Sequence, residues 1–104
     1  MQPFKDYYIL PPAVQEFREA RNWYASQHVK GLSNRFAQEV KVTIKQILKN
    51  PGAYAVRYKQ VRIAHTKTFP YAIHFLAEKD TIIITAIIYD RRDPSLSMKR
   101  VEGI

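Results

Sequence analysis

Two runs of β-branched and aromatic residues near the end of the chain constrain its fold most. The first covers residues 69–75 and the second covers 82–89, with a short charged segment at 77–80 between them. Such runs favour β-strands, and a short polar connection is typical of an antiparallel hairpin. A loop of four residues would set Phe75 opposite Ile82. The sequence therefore predicts an antiparallel hairpin with a defined register.

This register sorts the hairpin into two faces, because directly opposed residues share a face. The first face is nearly all apolar and should be covered by helices; it carries Tyr71, Ile73, Phe75, Ile82, Ile84, Ala86 and Ile88. The second face is mixed and could line an open groove; it carries Ala72, His74, Leu76, Thr81, Ile83, Thr85, Ile87 and Tyr89. On the preceding strand, Val61 and Ile63 should face the core, which turns Arg62 outward. Arg62, His74 and Tyr89 are thus predicted to share one surface.

The first half of the chain has helical periodicity after a short strand-like run at 7–10. Two prolines follow that run and suit the first turn of a helix. Glu16 would lie in an early turn, where the helix dipole favours anions. Gly31 is predicted to be the C-cap of this helix, and Ser33 or Asn34 to cap the next one. Two helices with so short a connection should pack antiparallel.

The period changes to two after residue 53, which predicts two short strands before the hairpin. In the first of them, Val56 and Tyr58 alternate with Arg57 and Lys59. The tail at 94–104 is expected to form either a short final helix or a mobile arm.

The composition limits the class of protein. A chain of 104 residues is expected to form one domain, 1–104. The absence of cysteine excludes disulfides and thiolate zinc sites. The longest apolar run, 82–88, is too short to cross a membrane, and no signal-peptide core is seen at the start. The cytoplasm is therefore the expected location.

The net charge is +8, of which +7 lies in residues 31–104. This bias favours a polyanionic partner, either a nucleic acid or an acidic protein, although basic residues also simply keep surfaces soluble. Lys41, Lys45 and Lys49 form one basic line on the second helix. The candidate residues for binding nucleic acid or a partner are Lys41, Lys45, Lys49, Arg57, Lys59, Lys99 and Arg100.

A second candidate set has the residue types needed to cleave RNA through its own 2′-hydroxyl. That reaction needs proton transfer, for which histidine or an activated tyrosine is suited, and positive charge on the phosphate. The set comprises Arg62, His74, Tyr89, Arg91 and Arg92. Each has a structural interpretation too: His74 as a buried strand residue, Tyr89 as a strand-end aromatic, and the two arginines as a neutralised turn. No metal-ligand spacing and no glycine-rich loop is present, so no cofactor is expected.

Several motifs resemble the RelE/ParE superfamily of bacterial toxins across roughly residues 5–100. They are Ala20-x-x-Trp23-Tyr24, Ile47-x-x-Asn50-Pro51-x-x-Tyr54, Val61-Arg62, the run from Phe69-Pro70-Tyr71 to Phe75, and Arg91-Arg92-Asp93-Pro94 followed by Arg100. The resemblance implies an α+β fold, with an N-terminal helical hairpin packed on one face of a twisted antiparallel sheet of about four to five strands. It also implies the toxin of a type II toxin–antitoxin system, neutralised by a cognate antitoxin.

The resemblance leaves the cellular target open between DNA gyrase and ribosome-bound mRNA. RelE-like members cut mRNA in the ribosomal A site, whereas ParE-like members inhibit gyrase without that catalytic set. The Phe69-Pro70-Tyr71 motif is similar to the ParE side, and Ala72 stands where RelE-like members often carry arginine. A gyrase poison is therefore expected, with an mRNA endonuclease as the alternative. A non-toxic member that only binds its antitoxin is the third possibility.

Overall fold

The computed structural model describes residues 6–102; the remaining ends of the predicted domain, 1–5 and 103–104, lie outside the described part. The elements in chain order are β1 (Asp6–Ile9), α1 (Pro11–Ala25), α2 (Leu32–Lys49), a 3₁₀ turn (Pro51–Ala53), β2 (Val56–Tyr58), β3 (Val61–His65), β4 (Tyr71–Glu78), β5 (Thr81–Tyr89) and α3 (Ser95–Glu102). Within residues 6–102, no helix combines the length and the apolar character needed to span a bilayer.

The strands form one five-stranded sheet in the order β1-β5-β4-β3-β2. The predicted α+β class and strand number are confirmed. The sheet is mixed rather than wholly antiparallel, because β1 runs parallel to β5. No tight turn joins these two strands: the chain passes through both helices and three strands between them, so a hairpin does not fix their relative direction.

The helical face of the sheet, which α1 and α2 cover, holds the main core. Ile73, Phe75, Ile82 and Ile84 are fully buried there. An aromatic cluster closes one end of this core around Phe36 of α2, which is itself fully buried. Its ring packs against the rings of Phe17, Tyr24, Phe69 and Tyr71, with centroid separations from 5.0 to 5.8 Å. The outer residues of the Phe-Pro-Tyr motif thus fix β4 to the helices.

The register of the β4–β5 hairpin differs from the predicted one in two respects. The turn has two residues, not four, so that Glu78 faces Thr81 and Phe75 faces Ile84. A bulge then follows: His74 faces Ala86, and Thr85 is the extra residue of β5. Beyond a bulge the alternation of faces is inverted. The predicted faces of residues 86–89 are therefore wrong.

The predicted orientation of β3 is also wrong. Arg62 is paired with Phe75 and Ala64 with Ile73, so both lie on the helical face. Val61 and Ile63 lie on the opposite face with His74, and Val61 is nevertheless fully buried. Alternation of apolar residues could not identify the helical side, because this sheet buries apolar residues on both faces.

The loop between α1 and α2 differs from its prediction as well. Gly31 has φ of 77° and directly precedes α2, whereas α1 ends six residues earlier. Ser33 and Asn34 lie inside α2 and do not cap it. They accept hydrogen bonds from Arg21 at 3.2 and 2.8 Å, which ties the two helices together.

The tail of the chain forms α3, which confirms the final helix over the mobile arm. This helix packs on the second face of the sheet, opposite α1 and α2. A cavity between Lys59, Leu76 and Val101 marks the contact near its end.

Candidate functional site

His74 lies on the second face of the sheet and is only 3% exposed. Its Nδ1 is hydrogen-bonded to the Tyr58 hydroxyl at 2.7 Å. Burial lowers the pKa of His74 to about 4; Glu16 opposes this shift, while His65 and Arg100 add to it. The imidazole is therefore neutral at physiological pH and sealed from the surface.

The pocket around His74 is completed by α3. Burial raises the pKa of Tyr58, an effect opposed by a hydrogen bond to Ser97 and by the charge of Arg100. Ser97 is 2% exposed, and its hydroxyl donates to the carbonyl of Pro94 at 2.9 Å. The predicted open groove on this face is wrong here, because Tyr58 and α3 fill it.

Arg62 lies on the other side of the sheet from His74. Its guanidinium donates to the carbonyl oxygen of Tyr54, and the side chain is half-buried against the helical face. The predicted shared surface of Arg62 and His74 is therefore wrong. The reason is the register of β3, in which Arg62 pairs with the core residue Phe75.

Tyr89 is also separated from His74, as a consequence of the bulge in β5. It pairs with Tyr71 on the helical face, and the two rings meet edge to face at 5.9 Å. Arg91 and Arg92 follow the end of β5 and are exposed. The structure therefore brings Tyr89 and Arg92 together with Tyr71, and leaves His74 and Arg62 elsewhere.

Glu16 is the most connected polar residue among those described; sequence reasoning placed it in an early turn of the first helix but did not predict it as a site residue. It is 8% exposed, and its Oε1 accepts hydrogen bonds from the Ile87 amide at 3.1 Å and from Arg100 Nη1 at 3.0 Å. Arg100 Nη2 lies 2.8 Å from Oε2, and Arg92 Nη1 lies 3.7 Å from the same oxygen. Arg100 also donates to the Thr85 carbonyl at 3.0 Å.

Glu16 and Arg100 form hydrogen bonds with the backbone of β5 beyond the point where β1 stops pairing with that strand. The pairing of β1 stops at Ile84, so the polar groups of the bulged segment need other partners. Glu16 supplies an acceptor and Arg100 a donor. The signal in the sequence was position: Glu16 follows the buried Ala13 by three residues and precedes the buried Ala20 by four, which sets it on the apolar stripe of α1.

The predicted basic residues lie on separate elements. Lys41, Lys45 and Lys49 are exposed along α2, as their spacing implied. Arg57 and Lys59 are exposed on and just after the edge strand β2, with Lys59 3.5 Å from Glu102; Lys99 is exposed on α3. Arg100 is the exception, because its guanidinium is occupied by Glu16 and Thr85.

An apolar groove of about 180 Å³ runs between the two long helices and β1. Its lining residues are Tyr7, Ile9, Val14, Phe17, Ala37, Val40, Lys41, Ile44 and Ile87. Lys41 is the one charged side chain among them, and it belongs to the basic line of α2. The groove thus combines an apolar floor with a cationic rim.

No protein-family model matches the sequence, and no curated protein matches it. A solved structure does match: a chain described as "Chromosomal ParDE TA system from P. aeruginosa", with a TM-score of 0.71. The similarity covers 83% of this chain and 96% of that chain at 15% sequence identity. At this identity the likeness shows a shared fold, which confirms the predicted α+β architecture of a helical hairpin packed on a sheet.

Proposed function

We propose that this protein is the toxin of a type II toxin–antitoxin pair and that it acts in the cytoplasm by inhibiting DNA gyrase. The fold it shares with a chain from a ParDE system supports the toxin–antitoxin class. The observation that carries the choice of mechanism is the isolation of His74, which lies buried and across the sheet from Arg62.

This isolation disfavours RNA cleavage for a chemical reason. A general acid or base must come within hydrogen-bonding distance of the reacting oxygen and should titrate near the working pH. His74 is sealed by Tyr58 and α3, and its pKa is lowered to about 4. Tyr89 and Arg92 stand together at another site, and the histidine nearest to them in the hydrogen-bond network, His65, is engaged with Asp90 at 2.9 Å. A binding mode of inhibition needs none of these proton transfers.

The apolar groove between α1, α2 and β1 is the surface that we assign to the antitoxin. An amphipathic helix in an apolar groove is a common mode of recognition, and Lys41 at the rim would select acidic side chains. The net charge of +8 would accelerate association with such a partner.

The experiment that tests the proposal is a supercoiling assay with purified gyrase and micromolar protein. We expect supercoiling to be inhibited by the wild type and equally by a His74→Gln variant that remains folded. Undisturbed supercoiling at that concentration would refute the gyrase target.

A translation extract tests the alternative mechanism with the same two proteins. We expect ribosome-bound mRNA to remain intact with both. Cleavage by the wild type that is lost in His74→Gln would establish the endonuclease instead. Normal growth after induction without the partner gene would point to the non-toxic alternative.

A further inference from the structure

A cavity of about 440 Å³ opens where the end of α1 meets the start of β4 and the end of β5. Its lining is made only of rings: Trp23, Tyr24, Pro70, Tyr71 and Tyr89. Tyr71 and Tyr89 meet at 5.9 Å with an interplanar angle of 87°, and Trp23 and Tyr24 meet at 5.1 Å and 82°. The cavity is thus an aromatic box built by three elements.

The box is open to solvent, although exposing apolar ring surface to water is unfavourable. Trp23 is 58% exposed and Tyr89 is 46% exposed. Contiguous exposed aromatic surface of this kind is typical of a binding site. Pro70, the centre of the Phe-Pro-Tyr motif, is exposed between Phe69 and Tyr71, which anchor the motif in the core.

The box also holds phenol hydroxyls that can act as hydrogen-bond donors. Tyr24 is 8% exposed, and its hydroxyl is not an unsatisfied buried group, since no side-chain polar atom of the described residues is both buried and without a partner. Burial raises its pKa first, and the neighbouring Tyr71 and Tyr89 raise it further; burial also raises the pKa of Tyr71. Both hydroxyls therefore keep their protons and can donate to a ligand.

The net charge of +8 favours an anionic ligand, while the immediate surroundings of the box carry one arginine and two carboxylates. No carboxylate lines the box itself, although Glu16 and Glu19 line an adjoining cavity with Arg92. Glu16 is already paired with Arg100 at 2.8 Å, and Glu19 accepts a hydrogen bond from Gln15. Arg92 Nη1 lies 3.7 Å from Glu16 Oε2, a longer contact than the 2.8 Å pair with Arg100, and its side chain is 48% exposed, so part of its guanidinium faces solvent beside Tyr71.

We propose that this aromatic box binds an unpaired base of a single-stranded nucleic acid, with Arg92 pairing to its phosphate. Base–aromatic stacking needs exposed rings, base edges carry acceptors for the phenol donors, and arginine binds phosphate bidentately. The proposal is independent of gyrase inhibition and of antitoxin binding, because the box does not include the groove beside β1.

The test uses the fluorescence of Trp23, the single tryptophan of the chain. The protein is titrated with short oligothymidylate, with oligouridylate, and with an abasic deoxyribose oligomer of equal length and charge. We expect quenching by at least one base-containing strand and none by the abasic strand. The two base-containing probes distinguish DNA from RNA. Equal quenching by the abasic strand would overturn the proposal, since only backbone charge would then be recognised.

Variants locate the binding. Tyr89→Ala should weaken it about tenfold, whereas Tyr8→Ala, at a somewhat more exposed tyrosine on β1, should not. Tyr24→Phe removes one hydroxyl and keeps the ring, so it should weaken binding several-fold with an unchanged melting temperature. Arg92→Gln should weaken binding more than Arg57→Gln on β2. Unchanged affinity in both tyrosine variants of the box, or stronger quenching by a trimethyllysine peptide than by any oligonucleotide, would also overturn the proposal.

Discussion

Glu16 joins α1, β5 and α3 because its carboxylate is the common acceptor for donors from the strand and the final helix. The side chain is almost fully buried, and its charge is compensated by Arg100 and by the more distant Arg92. A buried ion pair adds little over an apolar substitute, but losing one partner leaves an uncompensated charge. Removing the Glu16 charge should therefore destabilise the fold mainly by leaving the largely buried Arg100 without a counter-ion.

Glu16→Gln should lower the free energy of unfolding by about 3 kcal/mol, since Arg100 would remain buried without its counter-ion. Glu19→Gln is the matched control on the exposed side of α1 and should change it by less than about 0.5 kcal/mol. Chemical denaturation of both variants measures the difference. Equal stabilities would contradict the role assigned to Glu16.

His74 should make stability depend on pH. Its pKa is about 4 in the fold against 6.5 in the unfolded chain, so the unfolded state binds more protons between these values. Stability should therefore be full above about pH 6.5 and should fall by about 3 kcal/mol as the pH approaches 4. In His74→Gln this part of the pH dependence should disappear. An unchanged slope between pH 6.5 and 4 would show that His74 is not the titrating group.

At the scale of elements, the β2–β3 turn carries visible backbone strain. Lys59 and Gln60 both have positive φ, 41° and 68°, although neither is glycine. Two-residue hairpin turns of this kind match the twist of the strands but favour Asn-Gly. Sheet geometry has thus overridden local preference at this turn.

Gln60→Gly should raise the free energy of unfolding by roughly 0.5 kcal/mol. Relief of about 1–2 kcal/mol of left-handed strain should exceed the roughly 0.4–1 kcal/mol that glycine's chain entropy costs. Ala55→Gly, at an exposed position without positive φ, should lower it by a similar amount. Denaturation curves check both signs, and a loss of stability in Gln60→Gly would contradict the strain.

At the scale of the whole molecule, the sequence predicts most of the fold because its signals are local. Helical and strand periods, the prolines before α1 and the charged turn before β5 each act within a few residues. The parallel pairing of β1 with β5 could not be predicted this way, because two helices and three strands separate the two strands in sequence. The bulge at Thr85 has no signature either, since Ile84 and Thr85 both favour strands and Ala86 does not mark an inserted residue.

The errors at the candidate site also come from features that the sequence does not mark. One extra residue in β5 turned Tyr89 away from His74, and burial on both faces hid the true side of Arg62. The exposed basic line of α2 was predictable because helical spacing alone fixes it. The environment of His74 was not, since Tyr58 reaches it from β2 and Ser97 of α3 in turn contacts Tyr58.

The positive charge of the molecule should set its rate of association with an antitoxin. Lys41→Glu, at the rim of the groove, should slow association with the cognate antitoxin about tenfold and reduce its salt dependence. Lys30→Glu makes the same charge change on the α1–α2 loop, away from the groove, and should have a much smaller effect. Stopped-flow association over a range of salt concentrations gives both quantities. Equal effects of the two substitutions would exclude the groove as the docking site.

We propose that this protein inhibits its target by binding and does not cut RNA. The most direct test of this proposal is to induce the protein without its antitoxin and to follow the incorporation of labelled thymidine and labelled methionine together. We expect DNA synthesis to stop first, while protein synthesis continues and mRNA stays intact. An early stop of protein synthesis with cleaved mRNA, absent in His74→Gln, would contradict it.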